Sequence, residues 1–121
     1  MATYFVASGG SNTSPYDTWA KAATSLQTAL TAASTDGDVV VIQYDAIPAT
    51  DGASNASVTY TVSASISILS ASNGGGSAYT LTEMGTSYCL GSTNSTSAAS
   101  VTFAGNDRNV YMYGISVITQ G

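Results

Sequence analysis

Seven carboxylates, Lys21, Arg108 and no histidine bound the chemistry open to this chain of 121 residues. Asp17, Asp36, Asp38 and Asp45 gather around the expected helix and first buried strand. Carboxylate oxygens at close quarters are the ligands Ca2+ takes, but there is no alternating Asp/Asn run closed by a Glu, and Asp at loop and helix ends is ordinary turn chemistry. Asp36 and Asp38 are the only acids at strand spacing. Proton transfer at neutral pH usually calls on His or a perturbed acid beside a basic group. Arg108 is the only base in the later part of the chain, and Asp107 beside it reads as its partner in a turn. The run Gly74-Gly75-Gly76 has no Lys or helix start behind it, so it is not a phosphate loop. Cys89 is single and reads as a small buried hydrophobe. The residues therefore predict no catalytic set, no cofactor and no metal site.

What remains is a chain composed for packing. Charged residues are 7% of the total and hydrophobic ones 44%, while Ser and Thr add about thirty per cent. The size predicts a single β domain over 1–121, with 1–36 forming a first strand, a loop and a capping helix and 37–121 forming β coils. A net charge of -5 and a pI near 4.1 provide no basic surface for phosphates, so nucleic acid is not an expected partner. No window is long and apolar enough for a spanning helix, and Met1–Val6 lacks a basic leader. No membrane association and synthesis in the cytoplasm are the expectations. Sequons at Asn12, Asn55 and Asn94 are discounted for the same reason.

Val58 to Ile68 alternates strictly, with Val, Tyr, Ala and Ile at even positions and Ser or Thr at odd ones. A side-chain period of two predicts one strand with its even residues in the core. Thr3–Ala7, Tyr79–Thr82, Val101–Phe103 and 110–118 also read as strands, and Val39–Ile42, without alternation, as one buried on both faces. The region 83–100 reads as loops with one brief strand around the apolar cluster Tyr88-Cys89-Leu90. One helix is expected, capped by Thr24 or Ser25 and carrying Leu26, Ala29, Leu30 and Ala33 on one face, with its stop at Asp36-Gly37. Trp19, Leu26 and Leu30 are the candidate residues for packing this cap. Tyr111 and Tyr113 share one strand face, opposite Val110 and Met112, and are the candidate interface residues.

The order of these features carries a resemblance. Tyr4-Phe5-Val6-Ala7-Ser8-Gly9-Gly10-Ser11, Trp19, Thr24 to Leu30 and Gly37-Asp38-Val39-Val40-Val41-Ile42 resemble the opening segment of right-handed parallel β-helix proteins of the pectate-lyase-like superfamily, bacteriophage virion and tailspike proteins among them. Asn109 to Val117 is similar to one of their coils, in which a Gly bend separates two strands. The resemblance implies an all-β fold with one short helix, a short parallel β-helix capped by that helix; a β-sandwich or jelly roll is the alternative. Gly37 to Gly121 would make three or four coils, the last of them uncovered. An uncovered coil implies association.

The expected function is that of a non-enzymatic virion structural protein: a capsid decoration (cement) protein, or the base of a head or tail fibre. It would act as a homotrimer against other virion proteins such as the major capsid protein. The alternative is the N-terminal part of a tailspike or lyase that binds or degrades host surface polysaccharide.

Overall fold

The computed structural model describes residues 1–49, 51, 57–85, 89–91 and 100–118. The Tyr88 of the expected apolar cluster and the sequons at Asn55 and Asn94 lie outside them, as do residues 92–99. Within the described residues the protein is mostly β, with one helix.

Nine strands follow in chain order: β1 Thr3–Val6, β2 Val39–Gln43, β3 Ser57–Thr61, β4 Ile66–Asn73, β5 Tyr79–Leu81, β6 Leu90–Gly91, β7 Ser100–Ala104, β8 Val110–Tyr113 and β9 Val117–Ile118. The helix α1, Leu26–Ala32, lies between β1 and β2 and is one residue shorter than the apolar stripe predicts. Its N-cap is Ser25, whose Oγ accepts the Thr28 amide hydrogen bond. Leu26, Ala29 and Leu30 are fully buried beneath it.

Strands β1, β2, β4 and β8 lie side by side in that order, all parallel. β3 pairs parallel with β7, and β6 parallel with β9. The chain thus traces β3, β4 and β6 and then traces β7, β8 and β9 in the same order, each strand beside its counterpart. β5 is the exception: it folds back antiparallel on β4 across the turn at Gly74–Gly76. Sequence patterning does not report strand direction, so this hairpin was not foreseen.

The predicted single strand over 58–68 is two strands in two different sheets, joined by a bend at 62–65. Alternation does not reveal that bend, because four residues preserve parity. Tyr60, Val62, Ala64, Ile66 and Ile68 all stay buried while Thr59, Thr61 and Ser63 stay exposed. The corner is held by backbone pairing to its neighbours: the Ser65 amide donates to Asp36 Oδ1 at 2.9 Å, its carbonyl accepts from Gly37, and its Oγ accepts from the Asn109 amide at 3.0 Å.

Alternation in β1, β2 and β4 builds two cores. Val6, Val40, Ile42, Ile66 and Ile68 face Leu26 and Leu30 in the main one, with Tyr60, Val62 and Leu90 closing it. On the other face Phe5, Val41 and Ala71 pack under Trp19 and Ala22. The Phe5 and Trp19 rings lie 4.6 Å apart and Tyr79 meets Phe5 edge-on at 6.0 Å.

The expected Gly bend after β8 is present, with Gly114 at φ 68°. β8 and β5 share one edge of β4: β8 pairs Ile66–Leu69 and β5 pairs Ala71–Asn73. The chain must leave β4 where β5 begins. A Cβ at Gly114 would stand 3.1 Å from the Glu83 Cα and 3.3 Å from the Ser70 Cβ, and its carbonyl accepts the Met84 amide at 2.8 Å. Gly114→Ala combines a left-handed backbone with that crowding, and we expect it to destabilise the fold by about 1–3 kcal/mol in urea denaturation.

Candidate functional site

The site with most to offer a partner is the last pass of the chain, β7, β8 and β9, together with the residues that hold it in place. Its support begins at Asp51, in a segment that reads in sequence as an insertion-like loop. Asp51 is 3% exposed. Its Oδ2 accepts the Leu26 amide hydrogen bond at 2.9 Å, at the first turn of α1, and its Oδ1 accepts the Tyr60 hydroxyl at 2.9 Å. Its own amide donates to Pro48 and its carbonyl accepts from Gly91 at the end of β6. One residue therefore ties the helix, β3 and β6 together. Tyr60 passes the support on, because it stands in register with Phe103 of β7 and the two rings stack at 5.2 Å. Sequence reasoning passed over Asp51; the signal available was an isolated acid seven residues before the alternating run that starts at Val58 and carries a Tyr on its core face.

Burial pushes the Tyr60 hydroxyl well above its usual range, and the Asp51 charge and hydrogen bond push it the same way. Four other carboxylates are spent locally. Asp38, 2% exposed, accepts from the Ala2 and Thr35 amides at 2.8 and 3.2 Å. Asp36 holds the Ser65 corner, and Asp45 accepts from the Gln43 side chain. Asp17 makes a loose 3.9 Å contact with Lys21, the one ion pair among the described residues. The turn pairing expected of Asp107 and Arg108 is not formed: Asp107 sits at φ 53° and Arg108 borders an open depression of about 490 Å³ with Thr61, Ser63 and Asn106. Among the described residues no three His, Cys, Asp or Glu side chains come together as metal ligands. Cys89 is buried.

The cap candidates separate. Leu26 and Leu30 lie in the main core, whereas Trp19 lies on the opposite face of the sheet, its indole donating to the Ala78 carbonyl at 2.7 Å. Tyr111 and Tyr113 stand on that outer face too, beside Ser67 and Leu69 of β4. They are 63% and 44% exposed, and Met112, on the core face, is 42% exposed. Both faces of β8 are thus partly open, and so is one edge, since among the described residues β7, β8 and β9 each pair on one side only. No described helix is long and apolar enough to cross a membrane.

Compared with known proteins, the chain matches no family model, no curated protein and no solved structure.

Tyr60→Phe removes the hydroxyl that donates to the buried Asp51 carboxylate and should cost about 1–3 kcal/mol. A tyrosine held neutral in the fold stabilises it fully below the unfolded value of 10.0, and that contribution is lost as pH rises beyond it. Unfolding free energy should therefore fall above about pH 10, and the Tyr60→Phe protein should lose less of it over the same range.

Proposed function

We propose that this is a non-enzymatic structural protein of a bacteriophage virion, a capsid decoration protein or the base of a head or tail fibre, acting as a homo-oligomer. The observation that carries the proposal is the last pass of strands, whose backbone edge and apolar side chains Tyr111, Met112, Tyr113 and Val117 are presented to solvent. Such an edge is a template for another chain, and proteins that stay monomeric blunt it with charge or Pro. β8 has neither.

The strand path supports a narrower description of the fold. Two successive passes in the same order, each strand parallel to its counterpart, follow the route of a short parallel β-helix, with α1 over its first turn. Parallel crossovers are right-handed in nearly all proteins, which gives the coil its hand. A jelly roll would need mostly antiparallel neighbours, and β4–β5 is the one such pair among the described strands. The virion assignment rests on the resemblance of the opening segment to phage β-helix proteins.

In this reading the protein is made in the host cytoplasm and ends on the particle, where β structure buries surface between copies and against other virion proteins such as the major capsid protein. Its contribution is mechanical. The exposed tyrosines favour a second reading, the N-terminal part of a polysaccharide-binding or polysaccharide-degrading β-helix, since aromatic faces two residues apart on a strand suit stacking on sugars.

Light scattering after gel filtration should give a multiple of 12.1 kDa, the sequence reading being three copies. A monomer at all concentrations overturns self-association, and retention of the chain on a column of host surface polysaccharide would favour the second reading.

A further inference from the structure

The two ends of the strand stack differ in a way that selects the partner. At the helix end the free edges are already occupied by the chain itself. The Gln27 side-chain amide donates to the Thr61 carbonyl at 3.0 Å and accepts from the Thr61 amide at 2.8 Å, standing in for a strand beside β3. The outer edge of β1 is covered in the same manner: Phe5 donates to Tyr16, while Ala23 donates to Phe5 and Ala7 to Ala23. An open end of one molecule finds no receptor on the closed end of another, so head-to-tail stacking into a filament is blocked.

We infer that the open end is closed by a second copy, β8 of one molecule pairing antiparallel with β8 of the other about a two-fold axis. The inference rests on the self-association proposed above and names its edge and symmetry. An isologous contact of this kind closes on itself.

The register follows from the backbone. The Ile66 amide donates to the Asn109 carbonyl and Ile66 is in register with Val110. In a parallel ladder the next residue, Tyr111, then points its backbone groups to β4, and Val110 and Met112 turn theirs to the open side. Open-side residues must face open-side residues. Two registers meet that condition within β8, and the one that also brings Arg108 to an acid of the partner sets Val110 opposite the partner's Met112 and places Tyr111 on the axis, opposite the partner's Tyr111. Arg108 then falls opposite the partner's Gly114.

Charge favours that arrangement. Asp107 and Arg108 are the only charged residues between Ser100 and Ile118, so the strand segments that meet carry no net charge of their own although each chain carries -5. Glu83 packs against Gly114, its Cγ 3.5 Å from where a Cβ there would stand, and it is exposed. Arg108 of each molecule therefore arrives beside the Glu83 of the other, twice by symmetry. A strand added parallel to β8 would bring no such pairing.

The test uses the whole chain. Light scattering with dilution should show a dimer. Arg108→Glu and Glu83→Arg should each weaken it by roughly 3- to 10-fold, as expected of two rim pairs, and the double exchange should restore it. Met112→Pro removes an open-side N–H that serves no bond among the described residues, so it should abolish dimerisation with the circular dichroism spectrum unchanged. Tyr111→Cys should form a disulfide-linked dimer on oxidation, the two residues facing each other across the axis. A trimer overturns the two-fold pairing and leaves the assembly reading standing. A monomer overturns both. A dimer that ignores Met112→Pro and the charge exchange places the contact elsewhere and overturns the inference.

Discussion

A buried carboxylate is expensive to hold away from water unless donors surround it, and the donors of Asp51 are the reason this chain has the shape it has. Two of them are the first-turn amide of α1 and the hydroxyl of Tyr60. A helix of seven residues does not form by itself in water. This one is held at its start by Ser25 and Asp51 and beneath by Leu26 and Leu30. The same carboxylate sets Tyr60 in place, Tyr60 stacks on Phe103, and β7 is thereby seated on β3. Support for the last pass of strands runs back to a single acid about fifty residues earlier in the chain.

The chain uses its few charges accordingly. Asp36 and Asp38, at the turn between α1 and β2, accept the amides of Ser65, Ala2 and Thr35, and Asp51 accepts from the helix and a tyrosine. These are structural uses in which a carboxylate oxygen replaces a missing backbone acceptor. Ser and Thr recur among the exposed residues, as at Thr59, Thr61 and Ser63, on the same stretch of chain that sends Tyr60, Val62 and Ile66 inward. Such a surface is polar without strong repulsion, which suits close contact between chains.

The two ends of the stack express one constraint in opposite ways. Each strand edge needs partners for its N–H and C=O groups. At the helix end, Gln27 and the loop carrying Tyr16 and Ala23 supply them from within the molecule. At the other end β7, β8 and β9 have partners on one side only among the described residues, and the side chains that a further layer would cover are partly in solvent. The difference between a closed and an open end turns an otherwise repetitive stack into a directional one.

Much of this was legible in the residues themselves. Strict alternation from Val58 to Ile68 determined which side chains enter the core, and it did so correctly through a corner it did not reveal, because a four-residue bend keeps the parity of the strand. The helix, a cap at Thr24 or Ser25 and the Gly bend at 114 were also readable, since each depends on local backbone preference; the structure chose Ser25. What required the tertiary structure was every relation between distant segments: the parallel order of β1, β2, β4 and β8, the antiparallel β5 that takes the rest of the β4 edge, the separation of Trp19 from Leu26 and Leu30 onto opposite faces, and the role of Asp51. Local pattern records which way a side chain points relative to its own strand. It does not record which strand lies alongside, and an acid in a loop becomes a structural center only when folding brings a helix end and a tyrosine to it.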